Sequence, residues 1–306
     1  MKKEKEIKNL SASIRARLTN KSGQARQPFA ELLQYYAMER FLYRLGQSQY
    51  RDQLILKGAL MFVVWRVSEG RATMDIDLLG RFDNKLTKIE GIIKDVCRAE
   101  VSPDGLFFDP DTVKVKKIKE GADYEGIRVK FTGFLERSRV PMQVDIGFGD
   151  AIYPKPQIID YPVILDFPKP KLRGYPIETV VAEKFEAMVK LGALNSRMKD
   201  FYDVWLMTRQ FNFEGESLVK AFEKTFARRK TALPEKPPFF VDEIYKERSD
   251  QQVLWRGFLN TIKMKHAPNV LNEVVKLIES FLEEPVGALF KKEAFRSQWK
   301  APGPWQ

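Results

Sequence analysis

The apolar positions change period along the chain, and the change falls near residue 170. Over 28–46 (PFAELLQYYAMERFLYRLG) apolar residues recur every three to four positions, which predicts an amphipathic helix opened near Pro28 and stopped at Gly46. Leu54–Leu56 is a short apolar run, followed by a glycine and a helical stretch from Ala59 to Arg66. Met74–Leu79 alternates as a strand, and 83–98 carries Ile89, Ile92, Ile93 and Val96 on one helical side. Residues 112–119, 126–134 and 140–148 alternate apolar with polar and predict three strands, with a further short strand over Tyr161–Leu165. From Ile177 the period becomes helical, over about 177–193, 198–209 and 216–229. Three prolines in 231–240 predict a loop, and helices near 251–264 and 270–283 precede a Pro/Gly-rich tail. The pattern predicts an α+β chain: a mixed α/β half up to about 170, then an all-helical half.

Composition narrows the chemistry. One cysteine, Cys97, excludes an intrachain disulfide, and one histidine, His266, leaves no Cys/His metal site. The longest apolar run, Gly58–Trp65, is far short of the roughly 20 residues of a membrane span. The charged start, MKKEKEIKNL, has no apolar stretch behind it and does not read as a secretory signal, so a cytoplasmic location is expected. Lys and Arg outnumber Asp and Glu by 52 to 41, a net charge of +11, and residues 1–30 hold a surplus of six. Such a balance suits a polyanionic partner, although solubility alone also accounts for it.

The carboxylates are the informative residues. In the strand over 74–79, Met74, Ile76 and Leu78 point one way and Asp75 and Asp77 the other. Two like charges on one face repel unless a cation lies between them, and oxygen donors of this kind suit Mg²⁺. A solvated strand face with two acids is the competing reading. A second strand, 140–148, has Met142, Val144, Ile146 and Phe148 on one face and Asp145 opposite. Upstream, Gly58 between a strand and a helix forms a turn able to approach phosphate. Lys114, Lys116, Lys117 and Lys119 track either a phosphate backbone or solvent. Arg228-Arg229-Lys230 either touches RNA or closes a helix with cations. Trp205 and Cys97 are expected in the core, and His266 is given no role.

A Gly-Ala turn, then Arg71-x-Thr73-x-Asp75-Ile76-Asp77, then a later strand acid, resembles the DNA polymerase β-like nucleotidyltransferase fold. The segment YPIETVVAEKFEAMVKLGALNSRMKDFYDVW, 175–205, resembles the signature of the AbiEii/AbiGii abortive-infection toxin family, with likeness over about 28–210. The resemblance implies a nucleotidyltransferase toxin of a toxin–antitoxin pair, transferring a nucleotide from an NTP to the 3′ end of tRNA, with a cognate antitoxin; the short apolar runs noted above give the expectation of no membrane partner. The resemblance also implies two Mg²⁺ ions held by Asp75, Asp77 and Asp145, and nucleotide binding by Lys57, Gly58, Ala59 and Thr73. Lys184 matches the lysine of the family's AEK and Asp200 the acid of its [KR]D-x-Y-D. The division it implies is a nucleotidyltransferase domain over 1–170, with a basic N-terminal helical extension, and a helical domain over 171–306 that contributes Lys184 and Asp200. Nucleotidylation of a protein or small molecule, or a catalytically silent nucleic-acid-binding or partner-binding relative, are the alternatives.

Overall fold

A computed structural model describes residues 9–67, 72–120, 124–235, 240, 242–262 and 267–306. The chain divides into two compact units: one ends at Arg66 and resumes over Thr73–Gly149 and Gln157–Gly174, and the other comprises Val67–Ala72, Asp150–Pro156 and Tyr175–Gln306.

The first unit holds α1 (Leu10–Ala25), α2 (Phe29–Gln47), β1 (Leu54–Lys57), α3 (Leu60–Val64), β2 (Ile76–Gly80) and α4 (Leu86–Arg98). It continues with β3 (Leu106–Glu120), β4 (Tyr124–Leu135), β5 (Ser138–Phe148), β6 (Gln157–Asp160) and β7 (Lys171–Gly174). The strands form one seven-stranded mixed sheet in the order β3-β4-β5-β2-β1-β7-β6. β2 runs antiparallel to β1 and parallel to β5, while β3, β4 and β5 make an antiparallel wing. The alternation seen in the sequence becomes two faces. Leu54, Leu56, Ile76, Leu78, Ile127, Val129, Val144 and Ile146 join the buried residues of α1, α2 and α4 in one apolar core. That burial fixes the register, because a slip of one residue would turn every core side chain to the other face.

One buried ion pair anchors α2. Arg44 donates from both terminal nitrogens to Asp104, at 2.6 and 3.0 Å, and also to the Leu106 carbonyl. The Tyr36 hydroxyl donates to the Asp104 carbonyl at 2.8 Å. The expected strand over Tyr161–Leu165 is not formed. The strand is β6, just before it, while Tyr161 and Leu165 are buried loop anchors whose apolar signal comes from core contact. Cys97 is buried as expected, and burial pushes its thiol up to about 12, so it packs and does not react.

The second unit holds α5 (Ile177–Leu191), α6 (Met198–Gln210), β8 (Phe213–Glu214) and α7 (Gly215–Arg229). It closes with α8 (Asp242–Tyr245), α9 (Asp250–Ile262), α10 (Leu271–Lys291) and β9 (Gln298–Trp299). Its core includes Phe185 against Phe222 and Phe226, and Trp205 is buried as expected. The half after residue 170 is not purely helical: β7 belongs to the sheet, and β8 pairs with β9. The last helix also runs on past its expected end, through Pro285. A proline there cannot donate to the carbonyl four residues back. That carbonyl, of Phe281, instead accepts from the Trp305 indole N–H at 2.9 Å. Phe281 also stacks on Trp305, 5.5 Å between ring centres, so the C-terminal tail supplies what the proline removes.

Candidate active site

The sheet register lines up five charged residues on the face opposite the core. Asp77 of β2 lies beside Asp145 of β5, and on its other side beside Lys57 of β1. Asp145 in turn lies beside Arg128 of β4, and Arg128 beside Lys116 of β3. Neighbouring strands are about 4.8 Å apart, so this row places two carboxylates together and brackets them with cations. The arrangement explains how the acid pair is tolerated, since each carboxylate has an opposite charge next to it.

Arg128 grips Asp145 in a fork. Its Nε donates to Oδ1 at 2.9 Å and its Nη2 to Oδ2 at 2.7 Å. Gln143 adds a longer contact to Oδ2, 3.3 Å. The Asp145 side chain is 9% exposed and that of Arg128 32%. One row further along, Gln143 lies beside Lys130, and Lys130 beside Lys114. Lys114, Lys116 and Lys130 are all exposed on the same face as Asp77 and Asp145. Lys117 falls on the opposite face, paired with Ile127, so the expected run of lysines is split between two faces. The Lys119 side chain lies outside the described residues.

Gly58 has φ of +69°, in the left-handed region that suits glycine. It also has no room for a side chain. A Cβ there would overlap the Asp77 carboxylate and lie 2.6 Å from its Cγ. The turn thus packs its bare backbone against the acid, with Ala59 leading into α3. Gly58→Ala is expected to push the Asp77 carboxylate aside at a strain of about 1–2 kcal/mol, and to lower activity tenfold or more. Steady-state rates beside a melting curve check this, and wild-type rates would contradict it.

Asp75 occupies a bend one residue ahead of β2, and the Thr73 hydroxyl lies 3.4 Å from the Asp75 N–H. The Thr73 N–H donates to the Tyr35 hydroxyl at 3.0 Å, which ties this approach to α2. Arg71 of the motif, like His266, lies outside the described residues. Among the described residues no group of three or more His, Cys, Asp or Glu is gathered as a metal-ion cage. Mg²⁺ takes as few as one or two protein carboxylates and completes its shell with water and substrate phosphates, and the acids the register brings together are Asp77 and Asp145.

Lys184 and Asp200, in the second unit, meet each other. The Lys184 Nζ lies 2.7 Å from Asp200 Oδ1 and 2.8 Å from Asp203 Oδ2, with both acids 1% exposed. Arg197 adds a 2.7 Å contact to Asp200. Burial pushes the Asp200 carboxyl up, but Lys184 and Arg197 more than offset this and hold it below the ordinary range. Arg229, considered above for RNA contact, lies instead among Glu186 at 2.7 Å and Asp150 and Glu183 at 3.5 Å. It joins α7 to α5, while Arg228 and Lys230 remain exposed.

Sequence reasoning passed over Arg128. Alternation alone places it on the polar face of its strand, but only the register puts it against Asp145.

A glycine turn closed on a strand acid, with a second acid on the adjacent strand of a mixed sheet, is the framework of a nucleotidyltransferase-type fold. A model of the nucleotidyl transferase AbiEii toxin family, type IV toxin–antitoxin system, matches residues 40–285, and the chain belongs to that family. The match extends well beyond the motifs ending near 210. Among solved structures the chain is similar to JHP933 from Helicobacter pylori, with 13% identity, 83% of this chain and 87% of that one covered, and a TM-score of 0.40. It is also similar to a putative nucleotidyltransferase from H. pylori, with 11% identity, 83% and 90% covered, and a TM-score of 0.39. No curated protein matches it. Among the described residues no helix is long and apolar enough to cross a membrane.

Proposed function

We propose that this toxin is a magnesium-dependent enzyme of the cytoplasm that transfers a nucleotide from an NTP to the 3′ end of tRNA. The observation that carries the reading is the placement of Asp77 beside Asp145, with Gly58 closed against Asp77. Asp75 and Asp77 are the residues that would hold Mg²⁺, which when bound neutralises charge on the NTP phosphates. Lys57, Gly58, Ala59 and Thr73 take the nucleotide, the glycine letting the turn close on Asp77 so that the nucleotide and the acid meet at one place. In the transfer, the acceptor hydroxyl oxygen bonds to the α-phosphorus as the bond to pyrophosphate breaks, and the hydroxyl proton is lost. Positioning and charge do most of the work in such a reaction. Lys184, oriented by Asp200 and Asp203, carries the role that the family motif gives its lysine.

The acceptor is read from Lys114, Lys116 and Lys130, which make the face carrying the acids basic. Binding of tRNA should weaken steeply with salt, because each phosphate contact releases counterions. A binding constant unchanged between low and moderate salt would point to a small or neutral acceptor. The experiment for the whole reading is expression in bacteria without the cognate antitoxin. Wild type should arrest growth and Asp77→Ala should not, whereas equal inhibition by both would separate toxicity from catalysis.

A further inference from the structure

The two-ion expectation asks Asp145 to serve as a metal ligand, yet both of its oxygens already accept from one guanidinium. A carboxylate has about four acceptor directions. Arg128 takes two, and Gln143 lies near a third. The pairing is bidentate and charge-assisted, the strongest form of such contact, and register fixes it because Arg128 and Asp145 are direct cross-strand neighbours. The charge count on the face agrees. Lys57, Arg128 and Lys116 share the row with Asp77 and Asp145, so the protein has already placed positive charge beside both acids.

We propose that Arg128 takes the place of a second metal ion: locked on Asp145, whose strand lies between its own and that of Asp77, its guanidinium is a fixed cation of the acid row, and the chain holds one divalent ion, at Asp75 and Asp77. This rests on the nucleotidyltransferase reading above. A guanidinium suits the task, being planar, permanently charged and matched to a carboxylate or a phosphate. Arg128 is also exposed enough, at 32%, to meet a substrate while remaining held. Its part is to set charge and position, and Asp145 is the group that aims it.

The test is the number of Mn²⁺ ions bound per chain, by titration with electron paramagnetic resonance detection, in the presence of a non-hydrolysable NTP analogue. Wild type should bind one. Arg128→Ala should bind two, since Asp145 is released, and its transfer rate should fall at least tenfold, with partial recovery on adding free guanidinium. Arg128→Ala combined with Asp145→Asn should return to one ion. Arg128→Lys, which keeps the charge without the fork, should bind one ion and transfer at an intermediate rate. Melting curves establish that each variant is folded, and if Arg128→Ala is not, the Lys variant and the double variant decide. Two ions in wild type would overturn the proposal and leave the nucleotidyltransferase reading standing. Unchanged stoichiometry and rate in folded variants would reduce the pair to a structural cross-strand contact and also overturn it. No ion in wild type, even with nucleotide, would overturn both.

Discussion

Asp77→Ala is expected to lower nucleotidyl transfer by about 10³-fold or more while leaving the protein folded. Loss of a single electrostatic donor costs about 10²–10³ in rate. Asp77 should exceed this, because the proposed reading gives it a metal ion to hold, and it is also the wall of the Gly58 turn and the neighbour of Asp145. Stability should change little. The side chain is on the polar face, only half-buried, and the core residues of β2 are Ile76 and Leu78. Removing Asp77 relieves its repulsion with Asp145 but also takes the acid from beside Lys57, and the two effects oppose each other. Full transfer activity in Asp77→Ala and in Asp75→Ala would remove the acids from the chemistry.

Lys184 variants should show two separable losses. Lys184→Ala removes the cation between Asp200 and Asp203, each 1% exposed, and leaves Arg197 as the cation seen on Asp200. Stranding buried charge in this way costs roughly 3–5 kcal/mol, so the variant should melt markedly earlier. That loss alone says nothing of catalysis. Lys184→Arg restores the positive charge and should restore most of the melting temperature, but it cannot place an ammonium at the same point. If Lys184 contacts substrate, the arginine variant should be folded and slower by about 10²–10³. A folded Lys184→Arg with wild-type specific activity would confine Lys184 to bridging α5 and α6.

Much of this frame is legible in the sequence, because one-sided burial writes a period of two into strands. Val144 and Ile146 go inward, so Asp145 goes outward, and the same holds for Ile76, Leu78 and Asp77. What alternation cannot supply is register. Nothing in the order of residues pairs Arg128 with Asp145 or Lys57 with Asp77, since those contacts depend on which strands become neighbours and at what offset. Helix starts in 177–229 were readable from period and glycine, yet Pro285 read as a stop because its compensation, Trp305, lies twenty residues on. Tyr161 and Leu165 read as a strand because burial of a loop leaves the same apolar mark as burial of a ladder. The motif match singles out Lys184 and Asp200, but that Lys184 meets both Asp200 and Asp203 is seen only once the two helices are packed.

The most direct measurement of the central claim is label transfer from each α-³²P-labelled NTP to total tRNA by the purified protein, with and without Mg²⁺ and beside Asp77→Ala. The account predicts label in the tRNA band with wild type and Mg²⁺, and none when Mg²⁺ is chelated or Asp77 is changed. Absence of transfer from all four nucleotides, or equal transfer by Asp77→Ala, would contradict it.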